Sequence, residues 1–349
     1  MKINDKDYHL VSRNIITFTS NKIKKYAAID IGSNAMRLLI TNIVEQHDKE
    51  TQFNKSALIR VPIRLGQDAF TVGEISEENI DRMVDAMKAF KLLMKVYKVE
   101  KYKACATSAM REAYNGKEVA DIIREKCDID IDIIDGKIEA TIIASSDLHD
   151  FLKTDQTYLY VDVGGGSTEF SLFANGKMIT SKSFKIGTVR MLNNMVSDIV
   201  WEEIEKWIKN STAEYENVIL IGSGGNINKL FKLSGKLQDK PLSYLYLNSQ
   251  YQYLNSLTYE QRIAELALNT DRADVIIHAT KIYLNAMKWS GARQLFVPKI
   301  QTTYFYYRLR SSFWHRSRRR DRTNERAGGA TPFSTSRNSS ARYIREYCK

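Results

Sequence analysis

Asp30-Ile-Gly-Ser-Asn-Ala-Met-Arg37 and, 132 residues further on, Asp162-Val-Gly-Gly-Gly-Ser-Thr-Glu169 share one design, in which an apolar strand ends in an acid and glycines with a hydroxyl residue follow. An acid at a strand end can hold a divalent cation, while glycines let backbone N–H groups approach phosphate oxygens without a Cβ in the way. One such turn means little, because ordinary turns use the same residues. Two of them facing each other would clamp a phosphate chain from both sides, and the repetition makes coincidence a poor account of the pair.

Outward from these turns the chain alternates strands and helices. Tyr26–Ile31 and Leu38–Val44 read as strands around the first turn, and Ala57–Leu65 as a third extended segment. A helix begins near Ser76: Glu77 and Glu78 suit its N-terminus, and Ile80, Met83, Val84, Met87, Phe90 and Met94 recur at helical spacing as a core face. Tyr102–Ala106 as a strand, Lys117–Lys126 as a helix, Ile129–Ile134 as a strand and Ile138–Asp150 as a helix complete the first half. The second half repeats the order: Thr157–Val163 and Glu169–Ala174 flank the second turn, Asn175-Gly176 signals a hairpin, and Lys177–Ile186 returns. Helices around Val189–Met195 and Trp201–Tyr215, a strand at Val218–Ile221, helices near Ile227–Leu233, Tyr259–Leu268 and Ala273–Trp289, and a strand at Gln294–Val297 follow. This repetition predicts an α/β protein of two similar domains around a central cleft.

Composition narrows the class. A chain of 349 residues with 43% apolar content is long enough for two cores. No stretch approaches the roughly 18 uninterrupted apolar residues of a membrane helix, and Met1-Lys2-Ile3-Asn4-Asp5 lacks the apolar core of a signal peptide. A cytoplasmic location without a membrane partner is expected. Cys105, Cys127 and Cys348 form no CxxC pair and the 5 histidines no ligand spacing, so neither a disulfide framework nor a zinc site is indicated. The net charge of +11 is concentrated at the end, where Arg308–Lys349 holds 12 basic residues against 3 acidic ones. The body is nearly neutral. Nucleic acid is therefore not an expected partner, except through this arginine-rich tail, which lacks apolar periodicity and reads as disordered.

Six segments in order carry a resemblance: Ala28-Ile-Asp-Ile-Gly-Ser-Asn-Ala-Met-Arg37, Ala106-Thr-Ser-Ala-Met-Arg-Glu-Ala113, Gly136-Lys-Ile-Glu-Ala140, Val161-Asp-Val-Gly-Gly-Gly-Ser-Thr-Glu169, Ile186-Gly-Thr-Val-Arg190 and Ile221-Gly-Ser-Gly-Gly225. Together they resemble the Ppx/GppA family, the exopolyphosphatases and guanosine pentaphosphate phosphatases of the actin-like ATPase superfamily. The resemblance covers about residues 26–300 and is to the two-domain members. It implies two ribonuclease-H-like (actin-like ATPase) domains over 26–143 and 144–307, an N-terminal extension over 1–25 and the tail over 308–349. It also implies metal-assisted attack of water on a terminal phosphate of inorganic polyphosphate or guanosine pentaphosphate, with Mg2+ or Mn2+ as cofactor, in a homodimer.

Such attack needs the phosphate charge neutralised, the water positioned and a base within hydrogen-bond reach. Gly164, Gly165, Gly166 and Ser167 are expected to cradle phosphate through their N–H groups, with Gly32, Ser33 and Asn34 on the opposite wall. Asp162 resembles the family's metal-binding or water-orienting acid and Asp30 its counterpart across the cleft, with Glu169 joining the metal shell through water. The competing role for either aspartate is to cap its own turn. Glu139 precedes Ala140 as the family's catalytic glutamate precedes an alanine, which makes it the candidate base; Asp135 and Lys137 depart from the serine and further acids of relatives. Arg111 is the expected phosphate clamp, and Thr107 and Ser108 either add hydroxyl contacts or cap the helix that follows. Arg37 is assigned to phosphate or to pairing with a cleft acid.

Gly222, Gly224 and Gly225 correspond to the loop that holds adenosine in the superfamily's kinases and chaperones and lies on the substrate channel in its phosphatases. Lys185, Arg190, Lys229 and Arg272 are candidates to line a groove for a polyanion. Two other readings stay open, a nucleotide-dependent kinase or ATPase of the same superfamily and a non-catalytic polyphosphate or alarmone sensor. Beyond Leu295-Phe-Val-Pro-Lys-Ile300, relatives continue with a glycine turn and an apolar helix, whereas Gln301-Thr-Thr-Tyr-Phe-Tyr-Tyr307 leads here into arginines. A divergence of the reading frame near Gln301 is expected from that change.

Overall fold

In the computed structural model, which describes residues 23–44, 51–135 and 152–298, each glycine turn closes an antiparallel hairpin at the edge of a cleft. The first sheet is a meander of β1 (Ile23–Ile31), β2 (Met36–Val44) and β3 (Gln52–Val61), extended by β4 (Lys101–Ala106) parallel to β1 and β5 (Ile131–Ile133) parallel to β4. Its order is β3-β2-β1-β4-β5. The second sheet repeats that plan with β6 (Tyr158–Val163), β7 (Thr168–Ala174), β8 (Lys177–Phe184), β9 (Ile219–Ser223) and β11 (Gln294–Phe296), plus a short edge strand, β10 (Leu242–Ser243). Its order is β10-β11-β9-β6-β7-β8, so both halves run three antiparallel strands into parallel ones. Alternation along a strand puts Ile29 and Ile31, or Leu159 and Val161, on the face covered by helices.

The first half carries α1 (Leu65–Thr71), α2 (Glu77–Val96), α3 (Ser108–Glu112) and α4 (Gly116–Cys127). The expected stripe of α2 is buried at Met83, Val84, Met87, Phe90 and Met94, and Ser76 Oγ caps the helix by accepting from Asn79 N. The second half carries α5 (Thr188–Leu192), α6 (Asp198–Thr212), α7 (Gly225–Leu233), α8 (Tyr244–Ser256), α9 (Tyr259–Leu266), α10 (Thr270–Ala273) and α11 (Ile276–Ser290). One large core lies under each sheet, and Val189 of α5 belongs to the first half's core rather than its own. Among the described residues no helix is long and apolar enough to cross a membrane.

Several expectations shift. The third strand ends at Val61, and Leu65 opens α1 instead, because Arg64 takes a left-handed conformation (φ 61°) and Gly66 N donates to Ser33 O at 2.7 Å. Helix α8 was not read from the sequence: its tyrosine-rich stretch has no continuous apolar stripe and buries only Leu247 and Leu254. The long helix expected over Ala273–Trp289 is broken at Asp274-Val275 into α10 and α11. The Asn175-Gly176 turn has φ 53° and 69°, as its sequence predicted. The helix expected over Ile138–Asp150, the boundary at 143/144, the N-terminal extension up to residue 22 and the tail lie outside the described residues.

Candidate active site

Loop 1 (residues 32–35) and loop 2 (164–167) close alike, with Gly32 N donating to Ala35 O at 3.2 Å and Gly164 N to Ser167 O at 3.0 Å. Neighbouring elements take the carbonyls in between. In loop 1, Ser33 O accepts from Gly66 N and Asn34 O from Arg64 N; in loop 2, Gly164 O accepts from Thr188 N and Gly165 O from Val189 N. Gly166 O accepts from Arg190 Nε at 2.7 Å. A trans peptide points its C=O and N–H in opposite directions. Holding these carbonyls therefore turns the N–H groups of Asn34, Ala35, Gly165, Gly166 and Ser167 away from their supports. Among the described residues none of these five amides donates to a protein acceptor. A set of free backbone donors on facing loops is what a phosphate group requires.

The loops also touch. A Cβ on Gly165 would stand 2.9 Å from Ser33 Cβ and 3.3 Å from Asn34 N, and one on Gly166 2.5 Å from Ser108 Oγ and inside the Phe70 ring. The sequence suggested these glycines for phosphate approach; the structure adds that they let the two halves dock.

Asp30 ends β1 directly opposite Arg37, whose Nη1 lies 3.4 Å from its Oδ2. Asp162 holds the same position in β6, opposite Glu169. Glu169 is buried, and its Oε1 accepts from Ser167 Oγ at 2.6 Å and Ser183 Oγ at 2.9 Å, so the Ser167 hydroxyl is directed at Glu169. The third wall is the turn after β9. Gly224 has φ +116°, which favours glycine, and a Cβ there would stand 3.5 Å from Asp162 Oδ1. A Cβ on Gly225 would stand 3.1 Å from Arg272 Nη2 and 3.9 Å from Arg37 Nη2, which brings Asp162, Arg37, Arg272 and hence Asp30 to one cleft. Gly222 lies within β9, closed in by Ile227, Tyr283 and Leu295, where it serves packing. Beneath this turn Tyr283 Oη donates to Ser223 O. Burial, with the charge of Asp162 added, pushes the Tyr160 and Tyr283 phenols well above 10, so both stay neutral.

On the first half's side, Ser33 Oγ and Ser108 Oγ lie 2.9 Å apart, and Thr107 N donates to Ile31 O at 3.1 Å; the Thr107 side chain does not cap α3. Arg111 Nη1 donates to Ile134 O at 2.7 Å, beside the strand end that leads towards Glu139. Glu139 itself lies outside the described residues. Among the described residues no cluster of three or more His, Cys, Asp or Glu could hold a metal. Asp162 and Glu169 offer carboxylate oxygens of the kind magnesium takes, and Asp30 is paired with Arg37.

Of the four cations expected to line a groove, two do. An open cavity of about 320 Å³ beside the start of α7 is lined by Gly225, Asn228, Lys229, Lys232, Asn269 and Arg272. Burial lowers the pKa of Arg272, the charges of Arg60 and Arg37 adding to it against Asp271; burial, then Arg272 and Lys232, lowers that of Lys229. Arg190 and Lys185 are corrections. Arg190 is buried, with Nη2 2.6 Å from Glu112 Oε2 and its guanidinium 3.8 Å from the Phe70 ring, and Lys185 Nζ lies 3.2 Å from the same Glu112 oxygen. Arg190 braces the two halves instead of facing a groove, and the exposed Lys185 pairs across them with Glu112. Sequence reading also missed Asp271, which binds Arg60 and accepts from Asn34 Nδ2 at 3.1 Å through its carbonyl, and Glu112, whose one signal was its place next to Arg111.

A model described as the Ppx/GppA phosphatase family matches residues 39–295. The bifunctional 3-dehydroquinate synthase/phosphatase of Fusobacterium nucleatum is 30% identical over 76% of this chain, which spans 43% of that protein's length. Exopolyphosphatase 2 of Mycobacterium tuberculosis is 26% identical over 73% of this chain and 87% of its own. Among solved structures, an exopolyphosphatase from Cytophaga hutchinsonii aligns with a TM-score of 0.69 at 24% identity, covering 79% of this chain and 94% of that one, a likeness of fold.

Proposed function

The chain belongs to the Ppx/GppA phosphatase family, and from that premise we propose that it is a hydrolase of phosphoanhydrides, releasing terminal phosphate from inorganic polyphosphate or guanosine pentaphosphate. The observation that carries this reading is the five amides on facing loops that meet no protein acceptor among the described residues, with Asp162 on the strand that leads into the second loop. They would bind the terminal phosphate through its non-bridging oxygens and stabilise the charge that develops there.

Asp162, with Glu169 behind it and Asp30 across the cleft, would hold a magnesium or manganese ion. When bound, that ion would neutralise phosphate charge and acidify water. Arg111 would orient the phosphate with the donors that Ile134 O leaves available. Glu139 is the residue proposed to take the proton from the attacking water. The cation-lined cavity beside α7 would receive the remainder of the anionic substrate, relieving the mutual repulsion of Lys229, Lys232 and Arg272. A cytoplasmic homodimer completes the reading.

Phosphate release measured on polyphosphate and guanosine pentaphosphate side by side, with and without magnesium, tests it. Magnesium-dependent release from at least one is expected, and release from neither overturns it.

A further inference from the structure

Three carbonyls in a row, those of Gly164, Gly165 and Gly166, must be held for loop 2 to present its amides. The first two are taken by backbone N–H groups at the start of α5, those of Thr188 and Val189. Gly166 O is taken instead by a side chain, Arg190 Nε at 2.7 Å. Because the Gly166 carbonyl and the Ser167 amide belong to one peptide plane, whatever fixes the first aims the second.

We propose that Arg190, gripped by Glu112, is a positioning residue that aims the Ser167 amide of loop 2 at the phosphate. The inference rests on the phosphohydrolase reading above. Arg190 is anchored from the opposite half of the molecule at two points: Nη2 donates to Glu112 Oε2 of α3 at 2.6 Å, and the guanidinium plane covers Phe70 of α1 at 3.8 Å. From its own half, among the described residues, the side chain takes the Gly166 carbonyl. The aim of the Ser167 amide is thus tied to the first half, so this part of the phosphate cradle is complete only when the halves are docked. A planar fork can serve Gly166 O through Nε and Glu112 through Nη2 at once, which the single ammonium of a lysine cannot do with the same directions. Lys185 steadies the same carboxylate from outside at 3.2 Å. Burial alone would raise the Glu112 carboxyl, but the hydrogen bonds and charges of Arg190 and Lys185 outweigh it and lower its pKa, which keeps it ionised. Arg190 acts through loop 2 and not on the phosphate, its Nε and Nη2 facing Gly166 O and Glu112.

The test compares the full chain with Arg190→Lys, Arg190→Gln and Glu112→Gln, measuring kcat and KM for phosphate release, binding of inorganic tripolyphosphate, and thermal unfolding. Glu112→Gln serves where loss of the buried arginine prevents folding, since a neutral amide can still accept from Arg190. Expected is a fall in kcat of about tenfold or more in the folded Arg190 variants, with tripolyphosphate bound about tenfold more weakly and no rescue by lysine, and a smaller fall of about threefold in both in Glu112→Gln, whose amide holds Arg190 without the charge. A variant that unfolds at lower temperature while its folded fraction keeps the parental kcat and tripolyphosphate affinity overturns the inference, as does full activity in Arg190→Lys. If the parent hydrolyses neither substrate, the phosphohydrolase reading fails. Tripolyphosphate binding then decides the inference alone: weakened binding in the variants sustains it, and equal or absent binding in parent and variants sinks it.

Discussion

Asp30 and Arg37 stand directly opposite each other in the β1–β2 ladder with carboxylate and guanidinium 3.4 Å apart, while the equivalent positions of β6–β7 hold two acids, Asp162 and Glu169. The two halves share a loop and a register yet differ in charge at one residue. The first half's acid is paired with an arginine, whereas Glu169 accepts from two serine hydroxyls; on the function proposed above, Asp162 and Glu169 would be the pair that holds the cation.

Asp162→Asn should therefore lower turnover about a hundredfold or more and abolish the response to magnesium, whereas Asp30→Asn should act more weakly because Arg37 already offsets its charge. Magnesium titrations of both variants check this. Equal losses would show that the two acids are equivalent.

Glu139→Ala should abolish phosphate release while leaving tripolyphosphate binding largely intact, because a base acts on the water and not on the bound chain. Near-parental turnover in the variant removes the role. Arg111→Lys should bind more weakly and turn over more slowly, since a point charge replaces a fork; unchanged rates would make its bond to Ile134 O the whole of its function.

Gly166→Ala should destabilise the protein by about 1–3 kcal/mol, because the added methyl meets the Phe70 ring and Ser108 Oγ, which must shift to make room. Thermal or denaturant unfolding reads this directly. A variant as stable as the parent would mean that the halves part easily at this contact.

The pKa of Glu112 is held below its ordinary 4.5, so its ion pair with Arg190 adds stability that is fully present above about pH 4.5 and is lost as pH falls through the folded-state value. Glu112→Gln should flatten the decline in unfolding free energy on the acid side of pH 4.5. An unchanged acid limb would assign that decline to other carboxylates.

Lys232→Glu should raise the KM for long polyphosphate more than that for tripolyphosphate, and steepen less with salt than the parent does, if the cavity beside α7 receives the trailing phosphates. Initial rates at two chain lengths and two salt concentrations measure it.

Much of this molecule was legible in its sequence. The acid-tipped glycine turns, the Asn175-Gly176 hairpin, the buried face of α2 and the repeat of three antiparallel strands all follow from residues within one element or its neighbour. Period 2, period 3.6 and turn chemistry are local quantities, so a single chain displays them. Where several local signals were balanced the reading slipped, as at Arg64, whose left-handed backbone ends β3 early, and at α8, which buries too little to leave a stripe.

The sequence by itself determined the α/β plan with its repeated half, the family and which two glycine loops to set against each other. Only the tertiary structure decided what holds those loops: Arg190 reaching 78 residues back to Glu112, Arg60 joined to Asp271 across 211, and Gly165 seated on Ser33. Such contacts depend on how two sheets far apart in sequence come to rest against each other. Burial removes water from the groups trapped between them, and the partners they then need are chosen by distance in space, which no local spacing along the chain encodes.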